Sequence, residues 1–313
     1  METIKVLRPG PCTTVQDQGR FGFQDRGVPV SGAMDPYAFR IGNLLVGNRG
    51  GEAALEITLG GFTAEFLTET RFAVTGANPG IRLNDQLISI WTCHPAFKGD
   101  VLSFEFAKKG ARDYLALAGG IDVPLMMGSR STYLRGCFGG YQGRSLIKGD
   151  ILKGGIHRQP PWELFFPKDL IPAYADKVIP RVILGPQDDE FNEENLFTFL
   201  NAAYEVTQRS DRMGCLLEGP PIRHKRGADI ISDGTAFGSI QIPGSGRPII
   251  LMADRQTTGG YVKIATVISV DLPLIAQALP GYKMRFEATS LRQAQEHLIE
   301  QEKKITEWVG SVK

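Results

Sequence analysis

Ala54-Leu55-Glu56-Ile57-Thr58-Leu59-Gly60-Gly61-Phe62-Thr63-Ala64-Glu65-Phe66 decides the fold class. Two short runs, Ala54–Thr58 and Thr63–Phe66, read as strands, and Gly60-Gly61 separates them. Gly is the residue that turns most readily, and short apolar-rich runs between turn signals are strands rather than helices. The cadence continues through Phe72–Thr75, Ile81–Leu83, Val101–Phe106 and Tyr114–Ala118, with turn signals at Asn78-Pro79-Gly80 and Asn84-Asp85. A sheet sandwich or barrel follows.

Working outward toward the N-terminus, Ile4–Leu7 reads as a strand and Gly10–Gly22 as a polar, Gly-punctuated loop. Asp35-Pro36 starts a helix, because Asp caps free amides and Pro suits the first turn. Ala38, Phe39, Ile41, Leu44 and Leu45 give it an apolar face. The Ser31–Met34 loop therefore precedes a helix N-terminus, a place that favours anions or simply holds a cap. Toward the C-terminus, prolines at 160, 161, 167 and 172 mark residues 156–177 as a linker. A second unit spans 178–288. It has a helix through Glu194 and Leu200, strands at Ala203–Gln208, around Ile230 and at Gly238–Ile242, and a helix from Asp271. Residues 289–313 read as an amphipathic helix, with Ser290 and Gln293 at capping-box spacing and Leu291, Leu298 and Ile305 on one face. The expected units are thus 1–155 and 178–288. Val28-Pro29-Val30-Ser31-Gly32 is echoed by Ile242-Pro243-Gly244-Ser245-Gly246, and Gly99-x-x-Leu102-x-Phe104-Glu105 by Gly281-x-x-Met284-x-Phe286-Glu287 in the same order, so duplicated β-units with a ligand cleft between them are the expectation.

Composition narrows the function. The chain has 313 residues, 42% hydrophobic and 22% charged, with net charge +1, so nothing points to nucleic acid or an anionic membrane. Four dispersed cysteines, Cys12, Cys93, Cys137 and Cys215, form neither a disulfide framework nor a zinc pattern. With a strand at the start and no long apolar run, the expected compartment is the cytoplasm. No Gly-x-x-x-x-Gly-Lys phosphate loop and no Gly-x-Ser-x-Gly elbow occurs. The four histidines lack metal-ligand spacing, so no metal is expected.

Polar loops carry what chemistry there is. The densest is Asp254-Arg255-Gln256-Thr257-Thr258-Gly259-Gly260-Tyr261, set between two apolar runs. It reads either as a capped turn with a structural Asp–Arg pair or as a site at the end of a buried strand. Gly128-Ser129-Arg130-Ser131-Thr132 reads either as a solvated turn or as a carboxylate or phosphate holder. Asp17 with Arg20, Ser31 with Asp35, Asp211 with Arg212, and Gln241 complete the inventory. Arginine clamps carboxylates and Gln or Thr binds amides, so a small substrate with a carboxylate or amide suits the set.

Read together, Thr13–Arg20, Gly27–Asp35, Gly128–Thr132, Ser210–Gly214 and Asp254–Tyr261 resemble the motifs of the allophanate-hydrolase-subunit-2 family. It is also called the biotin-dependent carboxyltransferase or KipI-antagonist family, and the resemblance spans about residues 4–288. It implies a mainly β chain of two cyclophilin-like β-barrel units with a few short helices and a C-terminal helix. It also implies a place as the C component of an ATP-dependent 5-oxoprolinase complex. The partners would be a KipI-like B component and a LamB/YcsF-like A component. That complex opens 5-oxoproline to L-glutamate and uses ATP, for which this chain shows no site. On this resemblance the expected catalytic residues are Asp254, Arg255 and Arg130. Arg130 or Arg255 holds the substrate carboxylate, and Asp254 orients Arg255 or handles a proton. Ser31, Ser131, Thr132, Gln241, Gln256, Thr257 and Tyr261 bind substrate, and Asp17, Arg20, Asp35 and Arg212 support. The competing expectations are a urea-carboxylase-like component, which would use biotin, and a regulator that sequesters a KipI-like kinase inhibitor.

Overall fold

The computed structural model describes residues 1–77, 80–155 and 164–311. The expected turn at 78–79 and positions 156–163 of the expected linker, His157 among them, lie outside the described residues. The protein is mainly β, its sheets curl as half-barrels, and four α-helices occur among the described residues. Two compact units divide the chain. The first holds Met1–Phe21, Ser31–Tyr174 and Trp308–Lys313, and the second Gly22–Val30 and Ala175–Glu307.

In the first unit the strands are β1 (Glu2–Pro9), β2 (Cys12–Gln16), β3 (Ala54–Thr58), β4 (Phe62–Phe66), β5 (Thr70–Gly76) and β6 (Ile81–Leu83). They continue with β7 (Gln86–Leu87), β8 (Thr92–Ala96), β9 (Val101–Phe104), β10 (Arg112–Leu117) and β11 (Ile151–Lys153). One antiparallel sheet runs β11-β1-β4-β9-β6-β7 and the other β2-β3-β10-β5-β8. The stretch Ala54–Phe66 supplies one strand to each sheet. Ile4, Val6, Phe62 and Leu102 of the first sheet and Leu55, Ile57, Phe72, Val74 and Leu115 of the second share one core. The opposite face of β5 and β10 is covered by helix α1 (Pro36–Leu45). Thr75 Oγ1 donates to the Ala38 carbonyl at 2.6 Å, Phe39 meets Tyr114 edge to face, and a Cβ on Gly42 would stand 2.9 Å from Thr75 Oγ1. Both faces of β5 and β10 are therefore covered, which is why their middles, Phe72-Ala73-Val74 and Tyr114-Leu115-Ala116-Leu117, read as apolar runs.

Residues 12–16, expected as loop, are strand β2, paired with β3 from Cys12↔Thr58 to Gln16↔Ala54. Their polarity hid them. Thr13, Thr14 and Gln16 are buried, and the β-branched Thr-Thr-Val suits a pleated surface. The hydroxyl of Thr13 is satisfied by the Pro9 carbonyl at 2.6 Å.

The second unit contains β12 (Lys177–Val178), β13 (Arg181–Leu184), β14 (Tyr204–Val206), β15 (Gly214–Glu218), β16 (Asp229–Gly234) and β17 (Ser239–Gln241). β18 (Ile249–Leu251), β19 (Thr258–Tyr261), β20 (Lys263–Val267), β21 (Lys283–Met284) and β22 (Glu287–Ala288) follow. Nine strands form one sheet, β12-β21-β14-β15-β18-β17-β20-β13-β22, while β16 and β19 pair as a separate ribbon. Helices α2 (Glu193–Asn201) and α3 (Leu272–Ala276) are short. Helix α4 (Leu291–Ser311) starts with the expected box: Gln293 N–H donates to Ser290 Oγ and Ser290 N–H to Gln293 Oε1. Of its expected face only Ile305 is buried, whereas Leu291 and Leu298 are exposed.

Leu115 sits at the centre of the first unit's core, fully buried. Leu115→Ala is expected to cost about 2–5 kcal/mol through lost transfer energy and a residual cavity. Urea unfolding of the full chain followed by tryptophan fluorescence reads it, and an unchanged midpoint would contradict this packing.

Candidate functional site

The polar loops fall into two kinds: those whose carboxylates are engaged by several donors of the chain and those that leave donors without an acceptor. In the first unit, Asp17 leaves the end of β2 and its carboxylate is saturated. Oδ1 accepts from Gly19 N–H at 2.8 Å, from Ser129 Oγ at 2.7 Å and from Ser131 Oγ, and Oδ2 accepts from Arg130 N–H. Ser131 Oγ also accepts from the Asp17 N–H at 3.0 Å. Thr132 Oγ1 donates to the Val15 carbonyl at 2.9 Å. Arg20, fully buried, donates to the Met126 and Ser131 carbonyls at 3.1 and 2.8 Å and lies over the Phe138 ring. Arg130 donates through Nε to the Val123 carbonyl at 2.9 Å, with Nη2 4.0 Å from Asp122. The structure thus brings Asp17, Arg20, Arg130, Ser131 and Thr132 into one cluster that ties residues 13–20 to 129–132. Val123, Met126 and Phe138 line a cavity of about 480 Å³ beside it, and both arginines hold carbonyls of its wall.

Ser31 is buried, has φ of 56°, and its Oγ meets no hydrogen-bond partner among the described residues. Its neighbour Ala33 donates N–H to the Asp17 carbonyl at 3.0 Å. The helix N-terminus that follows is already filled by this chain's own carboxylates. Asp35 Oδ1 accepts from Ala38 N–H at 2.9 Å, and Glu56 Oε2 accepts from Met34 N–H at 2.8 Å. Tyr174 donates to Asp35 Oδ2 at 2.9 Å and Tyr114 to Glu56 Oε2 at 2.8 Å. Burial, reinforced by those carboxylates, holds both phenols well above the usual tyrosine range. Asp35 is a helix cap in a closed network.

In the second unit the octapeptide joins β18 to β19. Asp254 faces Arg212 in a two-point fork: Nε to Oδ2 and Nη2 to Oδ1, both 3.0 Å, and Asp254 N–H donates to the Arg212 carbonyl at 2.8 Å. The expectation that Asp254 orients Arg255 is replaced by this pairing with Arg212. Arg255 has carbonyls and a ring instead. Its guanidinium reaches the Thr235 and Met252 carbonyls at 3.3 Å and lies 5.5 Å over Phe237. No carboxylate pairs with it among the described residues, and burial pushes its pKa down to about 10. Gln256 Nε2 donates to Gln241 Oε1 at 3.4 Å, and Thr257 receives the Thr235 N–H on its carbonyl at 3.1 Å. Tyr261 ends β19 opposite Asp229 and is exposed.

Residues that sequence reasoning passed over complete this second cluster. Lys263 is 2% exposed and is the Cα partner of Gln241 across β20 and β17. Its Nζ lies 3.3 Å from Asp233, and its N–H donates to Gln187 Oε1 at 3.0 Å. The available signal was a lone lysine inside the apolar run Val262–Ile268. Among the described residues no group of three or more His, Cys, Asp or Glu side chains could hold a metal ion, and no helix is long and apolar enough to cross a membrane.

A family model, carboxyltransferase domain, subdomain A and B, matches residues 26–288. The 5-oxoprolinase C-subunit of Escherichia coli K12 is 41% identical over 293 residues, 93% of this chain and 93% of that protein. The protein of the same name in Haemophilus influenzae is 38% identical over 291 residues, again 93% of each. The Kluyveromyces lactis urea carboxylase structure superposes with a TM-score of 0.91 at 35% identity, covering 98% of this chain and 29% of that longer chain.

An arginine desolvated without a counter-ion burdens the free fold. The folded pKa of Arg255 lies below the ordinary arginine value, so the penalty is full below about pH 10 and fades as pH rises beyond it. Arg255→Leu is expected to stabilise the free chain by roughly 1 kcal/mol at neutral pH, whereas Asp254→Ala, which strands Arg212, should cost about 3 kcal/mol. Urea unfolding at pH 7 separates the two, and a destabilised Arg255→Leu chain would show that Arg255 is structural.

Proposed function

This chain belongs to the family of carboxyltransferase domains, subdomains A and B, and on that premise we propose that it works as the C component of an ATP-dependent 5-oxoprolinase. In this reading the assembly opens 5-oxoproline to L-glutamate with ATP cleavage. A KipI-like component and a LamB/YcsF-like component complete it.

The observation that carries the reading is a buried Arg255 without a carboxylate partner among the described residues, followed in sequence by Gln256, whose amide meets that of Gln241. 5-Oxoproline has one carboxylate and one lactam. Arg255 is a guanidinium lacking an anion, and the amide of Gln256, next in sequence, contacts that of Gln241. Carboxylate binding would restore the charge partner that burial withholds. Gln241, Gln256 and Thr257 take the lactam, and Asp254 works through the loop it fixes with Arg212. The Asp17–Arg20–Ser131–Thr132 cluster supports the first unit's cavity wall, and Arg130 shares that role. ATP activates an amide that water attacks only slowly, and it is assigned to no residue of this chain.

The likeness to urea carboxylase favours a second reading, a carboxyltransferase component serving biotin. Urea offers the amide groups that suit the two glutamines but no carboxylate for Arg255, which ranks it second.

Co-purification with the two partner proteins and an assay for glutamate from 5-oxoproline and ATP tests the assignment. Arg255→Ala is expected to lower kcat/KM by roughly 100-fold, chiefly through KM, as for loss of a charged hydrogen-bonded clamp. Full activity in that variant removes Arg255 from the site. Absence of glutamate from every reconstituted mixture, with label moving from carboxybiotin to urea, would establish the second reading.

A further inference from the structure

Two buried donors stand side by side on adjacent strands of the second unit. Lys263 on β20 and Gln241 on β17 are register partners, each 2% exposed. Neither Lys263 Nζ nor Gln241 Nε2 meets a hydrogen-bond acceptor among the described residues. Buried polar groups are almost always matched, and each unmatched one costs free energy, so two together mark a place built for something else. The glutamine's other end is fixed by Gln256, which donates to Oε1, so Nε2 remains the free end of the amide. Gly259 makes the close approach possible: a Cβ there would stand 2.4 Å from Gln241 Nε2. The charge of Lys263 is balanced by Asp233 at 3.3 Å, the one carboxylate it meets among the described residues. Asp233 is on the β16–β19 ribbon and more than half exposed, so water or a ligand oxygen can replace it at modest cost.

We propose that Lys263 and Gln241 form a pre-set donor pair for the lactam carbonyl oxygen of the substrate, with Asp233 as the exchangeable counter-ion. The inference rests on the 5-oxoproline reading and divides the ligand between two anchors: carboxylate at Arg255, carbonyl at Lys263 and Gln241. A cation beside that oxygen gains strength as negative charge gathers on it when the ring is attacked, so the pair favours the transition state over the bound substrate.

Calorimetry on the complex with its partner proteins tests the division, using 5-oxoproline and cyclopentanecarboxylate, which keeps the ring and carboxylate but lacks the lactam. The wild-type complex is expected to prefer 5-oxoproline. Lys263→Met should lose that preference by about tenfold or more while keeping its affinity for cyclopentanecarboxylate. Gly259→Ala should act in the same direction by displacing the Gln241 amide. Undiminished preference in a folded Lys263→Met complex overturns the inference and leaves the substrate assignment standing. A wild-type complex that binds no 5-oxoproline overturns both. If Lys263→Met does not fold, Asp233→Asn on the exposed ribbon decides: 5-oxoproline affinity should rise as the competing carboxylate is removed, and unchanged or weaker binding counts against the pair.

Discussion

The two-point fork between Arg212 and Asp254 is the constraint on which the second unit's polar loop depends. It joins the loop before β15 to the loop after β18, and a main-chain bond between the same two residues doubles the link. Both side chains are at least nine-tenths buried. Burying two charges is costly, and the fork offsets that cost by geometry rather than adding net stability. What it secures is position. With Asp254 immobile, Arg255 leaves the chain at a fixed point, with Phe237 beneath it, and Gln256 is directed at Gln241. A flexible loop would let Arg255 find a carboxylate of its own; a fixed one keeps it without.

The acidic side chains of the polar loops are therefore already satisfied. Asp17 accepts from four groups, Asp35 from a helix amide and a phenol, and Asp254 from a guanidinium. A carboxylate in that condition has its acceptor positions already engaged within the chain. The groups around the second cluster that lack a full complement of partners are donors: Gln241 Nε2 and Lys263 Nζ without a hydrogen-bond acceptor, and Arg255 with carbonyls but no carboxylate. A site whose spare valences are all donors suits an acceptor-rich ligand, and a carboxylate joined to a lactam is such a ligand.

The fold was legible because the first unit's strands are short, β-prone runs separated by glycine and asparagine turn signals. Ala54–Thr58 and Ile81–Leu83 coincide with β3 and β6, and others differ by a residue or two at their ends. β2 was not legible, since a strand of buried threonine and glutamine resembles a loop until its neighbours are known. The site was legible as an inventory but not as a function of each part. Local sequence cannot distinguish a saturated Asp17 from an unsaturated one, because its donors at 129–131 lie more than a hundred residues away. Lys263 was missed for the converse reason. One lysine in an apolar strand looks like an edge residue reaching for solvent, and only the pairing of β20 between β17 and β13 shows that it is interior.

Keeping donors unmatched has a thermodynamic consequence. The free protein carries desolvated groups that an evolved core would ordinarily pair or replace with hydrocarbon, so this region is held below the stability its packing permits. A ligand that supplies the acceptors returns that free energy on binding, and by linkage it stabilises the fold in proportion to its occupancy. Rigidity of the frame is what makes this possible. The fork at Arg212 and Asp254, the Gly259 contact with Gln241 and the strand register of Lys263 each hold a donor, or the loop that carries it, in place. Strength in the scaffold and want in the site are one arrangement: the saturated residues keep the unsaturated ones from becoming saturated too soon.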